Sequence, residues 1–586
     1  MPLQHQFQDE MTFIKSAIHD FADTNPQLSQ FLIEKGKDPD VERMLDGLAY
    51  MTATLKAKLK QDFPNLTQDV IQLLWSNYLR PVPSITMINA ASLSHRTSTI
   101  PKGTQVTTSA SDQPACIFQT CRDLTVTPVT LESSQIIRES SDSLLLTFSF
   151  SNTPESLDLE QFSFYLGQDP YIGSQLYMML THYVTSVAVV INNAELPLEA
   201  PTFNLVGFER SDAMIPYPEN TNTGNRLLQE YFCFNEGFLF LRIAHENKNI
   251  FPKSLKYSTF SLKINFSRSF PPSLKLRNDS ILINCVPAIN LFHHDGEPII
   301  LHGRKSQYPI VASYQYPERY DIFSIEHVES GNRRSAAPDN QHKYTYVPFN
   351  SFKHQIQREK GYQRLYYQSK QTQDIENKNI THWLSFVRSD EERWQHKDEI
   401  ISLRLMCTNN DMPAQLHIGE ISHITDKTLA EVVRVKNITR PTLQLSPILD
   451  NTLYWKAISN LAQNYMSLLD VDMLKQTLIG YNFPAQHNRQ SEKNAIKQLS
   501  GIHKMETKPS ERKLPDGLIV RGSETSIYMK QSMFNSEGEM VLFGTVLSQF
   551  FSQVAALNSY HLLTMINMDN QERYTWPVKI GQHSLI

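Results

Sequence analysis

The sequence predicts a multidomain α+β protein with an N-terminal helical segment, a central region of mostly antiparallel strands and a mixed C-terminal domain. Three observations support this class. Apolar residues recur at helical spacing through residues 1–80, alternate with polar residues over much of 84–450, and return to helical spacing beyond 450. Strands and helices do not alternate at the spacing of a βαβ unit, which disfavours a doubly wound sheet. At a prior of about 150 residues per domain, the 586 residues suffice for about four domains.

Residues 1–83 are predicted to form the helical segment. The first helix places its apolar residues on one stripe, in steps of four and three: Phe7, Met11, Ile14, Ile18 and Phe21. The second helix is predicted to begin at Asp38, an N-cap residue followed by a proline, and its stripe includes Leu48, Met51 and Leu55. A third stripe ends before Pro81 and consists of Leu66, Val70, Leu73, Leu74 and Tyr78. These stripes fit a bundle within the chain and also a bundle shared with another chain.

The central region is interpreted as two β-rich domains, 84–270 and 271–450. Phe260, Leu262, Ile264 and Phe266 alternate strictly with polar residues, as in a strand with one buried face. Turn-forming residues separate such strands, and they predict turns at Asn192-Asn193 and Asp295-Gly296.

Residues 451–586 are predicted to form a mixed α/β domain that binds a partner. Helical spacing is present at 454–469 and again near the end of the chain, where Phe550 and Val554 share a stripe. The polar, charge-mixed stretch 487–513 is predicted to be a long loop.

Composition excludes several classes of protein. The net charge of −5 argues against a basic nucleic-acid-binding protein, and the five cysteines, odd in number and mostly far apart, argue against a disulfide framework. The N-terminus lacks the features of a signal peptide, and no stretch is apolar enough for a membrane helix. We therefore expect a cytoplasmic protein that does not insert into a membrane. Charged residues make up 20%, below the usual ~25%, while aromatic residues make up 10%.

Local motifs do not indicate an active site. No P-loop and no G-x-S-x-G element is present. His293 and Asp295 have the spacing of two ligands in a facial metal site, but a solvated turn is the better interpretation. The basic and aromatic stretch 358–370 is better interpreted as a solvated strand or loop than as a nucleic-acid site. We predict no catalytic, cofactor-binding or metal-binding residues, and no cofactor.

A series of motifs, in order along almost the whole chain, resembles the TssF family (also called VasA or ImpG). Residues 38–45 (DPDVERML) are similar to its D-P-x-V-E-R-L-L segment, and 62–68 and 78–84 are similar to D-F-P-x-L/F-T-Q and Y-L-x-P-x-P-S. Central elements are also similar: 118–120, 206–208, 216–218, 226–232 (RLLQEYF) and 235–240. Later elements are 285–292 (CVPAINLF), 407–413 (CTNNDMP), 464–468, 521–522, 542–544, 558–560 and 576–577.

The resemblance departs from the family pattern at three positions. Ser76 stands where the family often has Pro, Asn410 where it has Arg, and Met412 where it has Leu. The motifs are rich in proline, glycine and aromatic residues, which is typical of packing and turns. Leu227, Leu228, Tyr231 and Phe232 are accordingly expected in the core.

The resemblance implies a non-enzymatic subunit of the type VI secretion baseplate, with a fold similar to that of contractile phage baseplate wedge proteins. Two TssF-like copies would join one TssG in a wedge that positions the spike and tube and templates the sheath. Further implied partners are TssK, TssE, VgrG, Hcp, the sheath and the second copy of the chain, but no nucleic acid. The wedge would be docked at the inner face of the inner membrane of a Gram-negative bacterium.

Two alternatives remain open from the sequence: a phage-tail-like baseplate wedge protein, and a β-rich carbohydrate-binding or hydrolytic protein. For the favoured function, the expected interface residues belong to the helical stripes: Phe7, Met11, Ile14, Ile18, Phe21, Leu48, Met51, Leu55, Phe550 and Val554.

Overall fold

The computed structural model describes residue 11, residues 44, 46–47 and 49–51, and most of 67–581. Within 67–581 it leaves out 95, 110–113, 140, 151–157, 168, 193, 219–220, 247–250, 252–257, 303–304, 332–343, 350–364, 374–379, 389–398, 462–466, 514–518 and 558.

Eight helices lie wholly within this part of the chain, and residues 67–75 are the described part of a ninth. They are α1 (67–75), α2 (Pro170–His182), α3 (Thr223–Cys233), α4 (Lys427–Val432), α5 (Asn451–Leu461), α6 (Val471–Tyr481), α7 (Phe483–His487), α8 (Arg489–Ser500) and α9 (Glu537–Val554). Short 3-10 helices cover Ser76–Leu79, Leu159–Gln161, Arg210–Asp212, Asn235–Phe238, Met412–Gln415, Ser467–Leu469 and Gln531–Met533.

The strands fill most of the remaining chain. The first thirteen are β1 (Ile85–Ser92), β2 (Ser98–Ile100), β3 (Gln105–Thr108), β4 (Ile117–Thr120), β5 (Leu124–Val126), β6 (Thr130–Ile137), β7 (Ser143–Ser149), β8 (Ser163–Tyr165), β9 (Val184–Ile191), β10 (Ala194–Pro197), β11 (Thr202–Val206), β12 (Phe240–Ala244) and β13 (Thr259–Phe266). The next ten are β14 (Cys285–Ile289), β15 (Phe292–Leu301), β16 (Tyr308–Pro309), β17 (Asp321–Gly331), β18 (Tyr344–Pro348), β19 (Leu365–Gln373), β20 (Ile380–Arg388), β21 (Glu399–Thr408), β22 (Ile421–Ile424) and β23 (Val433–Asn437). The last five are β24 (Ile502–Lys513), β25 (Ile519–Met529), β26 (Ser559–Asn567), β27 (Arg573–Thr575) and β28 (Lys579–Ile580).

Among the described residues these strands form six sheets. Sheet A has the order β22-β3-β4-β14-β1-β23, sheet B β10-β9-β13-β7-β6, and sheet C β11-β12-β8. Sheet D has the order β15-β21-β17-β18-β19-β20-β16, sheet E pairs β2 with β5, and sheet F has the order β24-β25-β26-β27 with β28 also on β26. Parallel pairing joins β18 to β19 and β25 to β26, while the other recorded strand pairs are antiparallel. This confirms the predicted multidomain α+β class with mostly antiparallel strands.

Sheets A and D are each curled, so that the two edges of the same sheet approach one another. In sheet A, Gly419 next to β22 donates its N–H to the carbonyl of Asn437 in β23 over 3.1 Å. In sheet D, Glu297 in β15 donates its N–H to the carbonyl of Val311, just beyond β16, over 2.9 Å. Each curled sheet encloses an apolar cluster of its own. Curling protects strand edges that would otherwise pair with other chains.

A third and larger apolar cluster, the main core, joins sheets B, C and F to most of the helices. Helix α9 lies at its centre, where it packs against α2 and α3. This helix begins at Ser536, whose hydroxyl accepts a hydrogen bond from the N–H of Glu539 and so caps the first turn. The helical spacing predicted near the end of the chain is thereby confirmed.

Sheet A contains strands from both sides of the predicted boundary at 270/271, because β14 lies between β4 and β1. A division at this position therefore cuts through a sheet. Helix α9, from the predicted C-terminal domain, shares the main core with α2 and α3 of the first β region. The boundaries at 83/84 and 450/451 stay predictions.

The prediction of a long loop at 487–513 is wrong. Helix α8 begins after Asn488, whose side chain accepts a hydrogen bond from the N–H of Gln490, and it buries Ala495 and Leu499. Strand β24 then forms the edge of sheet F. Both elements are largely exposed, so their sequences are polar and lack a marked apolar period.

The turn predicted at Asp295-Gly296 is also wrong, because both residues lie inside β15. The ladder shifts register between Gly296 and Ile299, so the strand bulges there instead of reversing. At Asn192 the prediction is confirmed: its φ is +49°, and β9 pairs with β10 across this turn.

Candidate functional site: buried motif contacts and exposed surfaces

The central motifs meet in one buried ionic network. Arg226 and Glu230 lie four residues apart on α3, and an Arg226 nitrogen is 2.9 Å from a Glu230 carboxylate oxygen. The two side chains are 2% and 0% exposed. The other Glu230 oxygen accepts from the N–H groups of Met214 and Ile215 over 2.8 and 2.9 Å. Arg226 also donates to the carbonyls of Gly207, Phe208 and Glu209, as a buried charge must to be stable.

Arg122 extends this network to sheet C. It donates to the carbonyls of Asp212 and Gly237, each over 2.9 Å, and its guanidinium lies 5.5 Å from the ring of Phe240. Burial lowers the pKa of Arg122, and Asp212 and Glu230 oppose that shift. The elements 206–208, 226–232 and 235–240 therefore contact one another. Sequence reasoning placed Leu227, Leu228 and Tyr231 correctly in the core and Phe232 beside it, but it missed the charged pair in the same motif.

Two asparagines join the motifs 285–292 and 407–413. Asn409 donates its N–H to the side-chain oxygen of Asn290 over 2.7 Å, and the Asn290 amide donates to the Asn409 side-chain oxygen over 2.8 Å. The same two amide groups bind the N–H and the carbonyl of Ile117. Both asparagines are fully buried, so the pair satisfies its own polar groups and a backbone group of a third segment.

The C-terminal motifs meet through glycines that allow close packing. A Cβ on Gly522 would lie 2.2 Å from the carbonyl oxygen of Tyr560, because β25 and β26 approach closely there. A Cβ on Gly544 would lie 2.4 Å from the ring of Trp576, whose indole N–H donates to Thr545 over 3.0 Å. These motif residues therefore serve packing within the chain.

A second ionic cluster joins sheet B to the C-terminal region. Arg268 contacts Glu537 over 2.8 Å and Glu572 over 2.6 Å. Tyr183 donates to Glu572, and the Tyr574 hydroxyl lies 2.8 Å from Glu572 and 2.9 Å from Glu537, so its single proton can bond to either carboxylate. Glu537 lies in the first turn of α9, where the helix dipole favours an anion. Its pKa is lowered, because hydrogen bonds and Arg268 outweigh the effect of burial.

Three histidines and two cysteine thiols are held in their neutral forms by burial. Burial lowers the pKa of His182, His382 and His561 to about 4. It raises the pKa of the Cys121 and Cys285 thiols to about 12. Thiols with such pKa values are poor nucleophiles and metal ligands.

His293 and Asp295 lie on one face of β15. His293 contacts Glu326 over 2.7 Å, and Asp295 is the strand partner of Arg404. Among the residues that the structure describes, no group of three or more His, Cys, Asp or Glu side chains is arranged to hold a metal ion.

The structure describes four of the ten predicted interface residues: Met11, Met51, Phe550 and Val554. Met51 is 59% exposed, and Met11 is partly buried on a helix. Val554 is partly buried against the main core, and Phe550 is 2% exposed inside it, so Phe550 offers little surface to another chain. Phe7, Ile14, Ile18, Phe21, Leu48 and Leu55 lie outside the described residues.

Large apolar side chains that sequence reasoning did not select are also exposed. Near Met51, Met44 is 76% exposed and Tyr50 is 55% exposed. Trp455 on α5 is 55% exposed, Tyr314 beside sheet D is 71% exposed and Ile519 on β25 is 70% exposed.

A sequence model of the family described as "Type VI secretion system, TssF" matches residues 2–583. The chain belongs to this family. A curated relative, "Type VI secretion system component TssF1" of Pseudomonas aeruginosa, is 25% identical to it, over 99% of this chain and 98% of the relative.

Two solved structures have a similar fold. The first is a chain in the structure of a "type VI secretion system TssK-TssF-TssG baseplate subcomplex", with a TM-score of 0.77 and 24% identity over 92% of this chain and 98% of that one. The second is a chain in "The baseplate complex from the type VI secretion system", with a TM-score of 0.62 and 22% identity over the full length of both. The family match confirms the predicted TssF family, and the two structural similarities confirm the predicted fold.

Helices long and apolar enough to span a bilayer are missing from the described part of the chain.

Proposed function

We propose that this chain is a structural subunit of the type VI secretion baseplate, where it assembles with TssG into a wedge. The observation that carries the proposal is the match to the TssF family over residues 2–583. The fold similarity to a chain of a TssK-TssF-TssG baseplate subcomplex supports the same role. The wedge positions the spike and tube and templates the sheath.

The buried motifs support a role in scaffolding rather than catalysis. Arg226, Glu230, Asn290 and Asn409 use their polar groups on the chain itself. Burial holds His561 and the Cys121 thiol in their neutral forms at physiological pH. We propose that the protein is not an enzyme and that its function resides in its surfaces.

The proposed assembly has two copies of this chain per TssG, with TssK, TssE, VgrG, Hcp and the sheath as further neighbours. The location is cytoplasmic, with the baseplate docked at the inner membrane. The exposed apolar residues of the N-terminal helices are the proposed contact with TssG. Among the predicted interface residues that the structure describes, Met51 is the most exposed, at 59%.

The full chain should be co-expressed with TssG of the same organism and purified through a tag on TssG. Native mass spectrometry is expected to show two copies of this chain per TssG. A chain that stays monomeric in the presence of soluble TssG contradicts the proposal.

The location of the contact is tested with Met51→Asp, which changes a side chain that is 59% exposed. Ile519→Asp serves as the control, because Ile519 is 70% exposed but lies on sheet F. A charge in an apolar interface is strongly unfavourable, so Met51→Asp is expected to weaken TssG binding at least tenfold, while Ile519→Asp leaves it unchanged. Normal binding by Met51→Asp overturns the N-terminal location and leaves the baseplate role intact.

A further inference from the structure

Sheet D is an insertion in sheet A. The chain leaves sheet A at the end of β14, forms β15 to β21, and returns to sheet A at β22. The outgoing and returning segments cross side by side, because Asn290 and Asn409 hydrogen bond to each other. The backbone bends at both crossings: Leu291 donates its N–H to the carbonyl of Ile289, and Asn410 has a φ of +51°.

Because the two crossings lie side by side, they attach sheet D to sheet A at a single point. Sheet D could rotate about this point unless other contacts restrain it. Some of these lie close to the crossings. Gln444 donates to Asp321 over 2.8 Å, and the Arg80 guanidinium lies 5.1 Å from the ring of Phe323. Both partners are at the start of β17, next to the end of β21. Contacts so near the crossings have a short lever arm and therefore restrain the rotation of sheet D only weakly.

Helix α1 makes a contact farther away. Its apolar face, formed by Ile71 and Trp75, packs into the main core, where the Trp75 ring lies 5.1 Å from Tyr481 of α6. Phe483 of α7 lies 6.1 Å from the same ring. The helix is therefore fixed to the C-terminal helices.

The polar face of α1 contacts β19 of sheet D. Gln72 donates to the Ser369 hydroxyl over 3.3 Å, and Gln68 donates to the carbonyl of Gln371 over 3.3 Å. Asp69 accepts from the Gln368 amide over 3.1 Å. In sheet D, β19 is three strands away from β21, a lever arm of roughly 14 Å at about 4.8 Å per strand.

We propose that α1 is a strut that fixes the orientation of sheet D relative to the main core, through Gln68, Asp69 and Gln72. Among the described residues, sheet D without these bonds keeps the contacts at the crossings and the interaction of Arg80 with Tyr367 of β19, and we expect it to gain freedom to rotate about the crossings. Helix α1 also follows the N-terminal segment assigned above to TssG binding. In the assembled wedge, α1 therefore transmits the arrangement of the N-terminal helices to sheet D. This last step rests on the proposed function.

The strut is tested on the full chain alone, so that the result does not depend on the baseplate role. Spin labels are placed at Tyr314→Cys beside sheet D and Ile519→Cys on sheet F, two exposed positions, in a Cys233→Ser background because Cys233 is the least buried native cysteine. Distances are measured by double electron–electron resonance. The variant Gln68→Ala/Asp69→Ala/Gln72→Ala removes the polar face of the strut.

The triple variant is expected to broaden the distance distribution at least twofold. A matched control, Gln490→Ala/Asn494→Ala, removes an exposed side-chain hydrogen bond on α8 and is expected to leave the width unchanged. Circular dichroism and the thermal midpoint of both variants report whether the fold is retained.

A covalent strut provides the converse experiment. Gln72→Cys/Ser369→Cys joins α1 to β19 where their side chains touch, and oxidation is expected to keep the distribution narrow even with Gln68→Ala/Asp69→Ala. An unchanged width in a folded triple variant overturns the proposal, because the crossings alone would then fix sheet D. Failure of TssG binding, by contrast, overturns only the proposed function.

Discussion

Replacement of Glu230 by Gln tests whether the buried pair on α3 stabilises the fold. The substitution keeps the size of the side chain, and its oxygen can still accept from Met214 and Ile215. It removes the negative charge that faces Arg226, which is itself 2% exposed. Removing one partner of a buried ion pair typically costs about 3–5 kcal/mol.

The low end of that range is expected here. Arg226 keeps three backbone carbonyl acceptors, at 3.2 Å from Gly207, 2.9 Å from Phe208 and 3.2 Å from Glu209. We therefore expect Glu230→Gln to lower the free energy of unfolding by about 3 kcal/mol, roughly a hundredfold in the equilibrium constant. Arg226→Met should cost at least as much, because it strands those carbonyls as well as the carboxylate.

Urea unfolding followed by tryptophan fluorescence measures this change, since Trp75 and Trp576 are both part of the main core. The matched control is Glu195→Gln, which breaks an ion pair with Lys263 whose side chains are 55% and 31% exposed. Exposed pairs contribute about 0–1 kcal/mol, so this control should be nearly neutral. A Glu230→Gln protein that unfolds within 1 kcal/mol of the parent would refute the reasoning.

Gly522→Ala should destabilise sheet F by more than about 2 kcal/mol, because the added Cβ meets the Tyr560 carbonyl. Gly47→Ala, whose Cβ meets no atom of the described residues within 4 Å, should be neutral or slightly stabilising, and thermal unfolding compares the two variants. Burial raises the pKa of Asp321 to about 6 from an ordinary 3.8, so its stabilising contribution is present below pH 3.8 and lost as the pH rises through 6. Asp321→Asn should remove this part of the pH dependence, and equal melting-temperature changes between pH 4.5 and 7 for both proteins would contradict the assignment.

The fold class could be predicted because apolar periodicity is a local signal. Strand β13 shows it clearly: Phe260, Leu262, Ile264 and Phe266 are all buried, and the residues between them are partly exposed. Helix α9 likewise has buried residues along its length, and the spacing of its apolar residues predicted it. Where one face of an element is buried, the sequence carries the period of that element.

Elements that are exposed over most of their surface lack this apolar periodicity. Helix α8 buries only Ala495 and Leu499, and β24 is polar along most of its length, so the stretch resembled a loop. The bulge at Gly296 resembled a turn for a different reason. A Cβ at Gly296 would lie 2.8 Å from the end of the Leu405 side chain across the sheet, so Leu405 would have to shift, and no local pattern reveals this contact.

Local patterns also could not predict contacts between segments that are far apart in the sequence. The Arg226–Glu230 spacing of four residues is visible in the sequence, and a charged pair inside an apolar helical stripe is a signal that could have been used. The Asn290–Asn409 pair joins residues 119 positions apart, and nothing near either asparagine identifies the other. Sheet A is assembled from segments between β1 and β23 in this way.

Substitutions in the buried motifs and substitutions of exposed apolar residues should therefore affect different properties, folding and assembly. Arg226, Glu230, Asn290 and Asn409 bind only groups of the chain itself in their recorded hydrogen bonds, so their substitution should affect folding first and assembly as a consequence. Met51 is largely exposed, so its substitution should affect assembly without affecting folding. The two effects separate in one experiment that measures both the melting temperature and the yield of the TssG complex for each variant. A Glu230→Gln protein that melts normally yet fails to bind TssG would show that the buried network shapes an interface directly, which its complete enclosure in the monomer argues against.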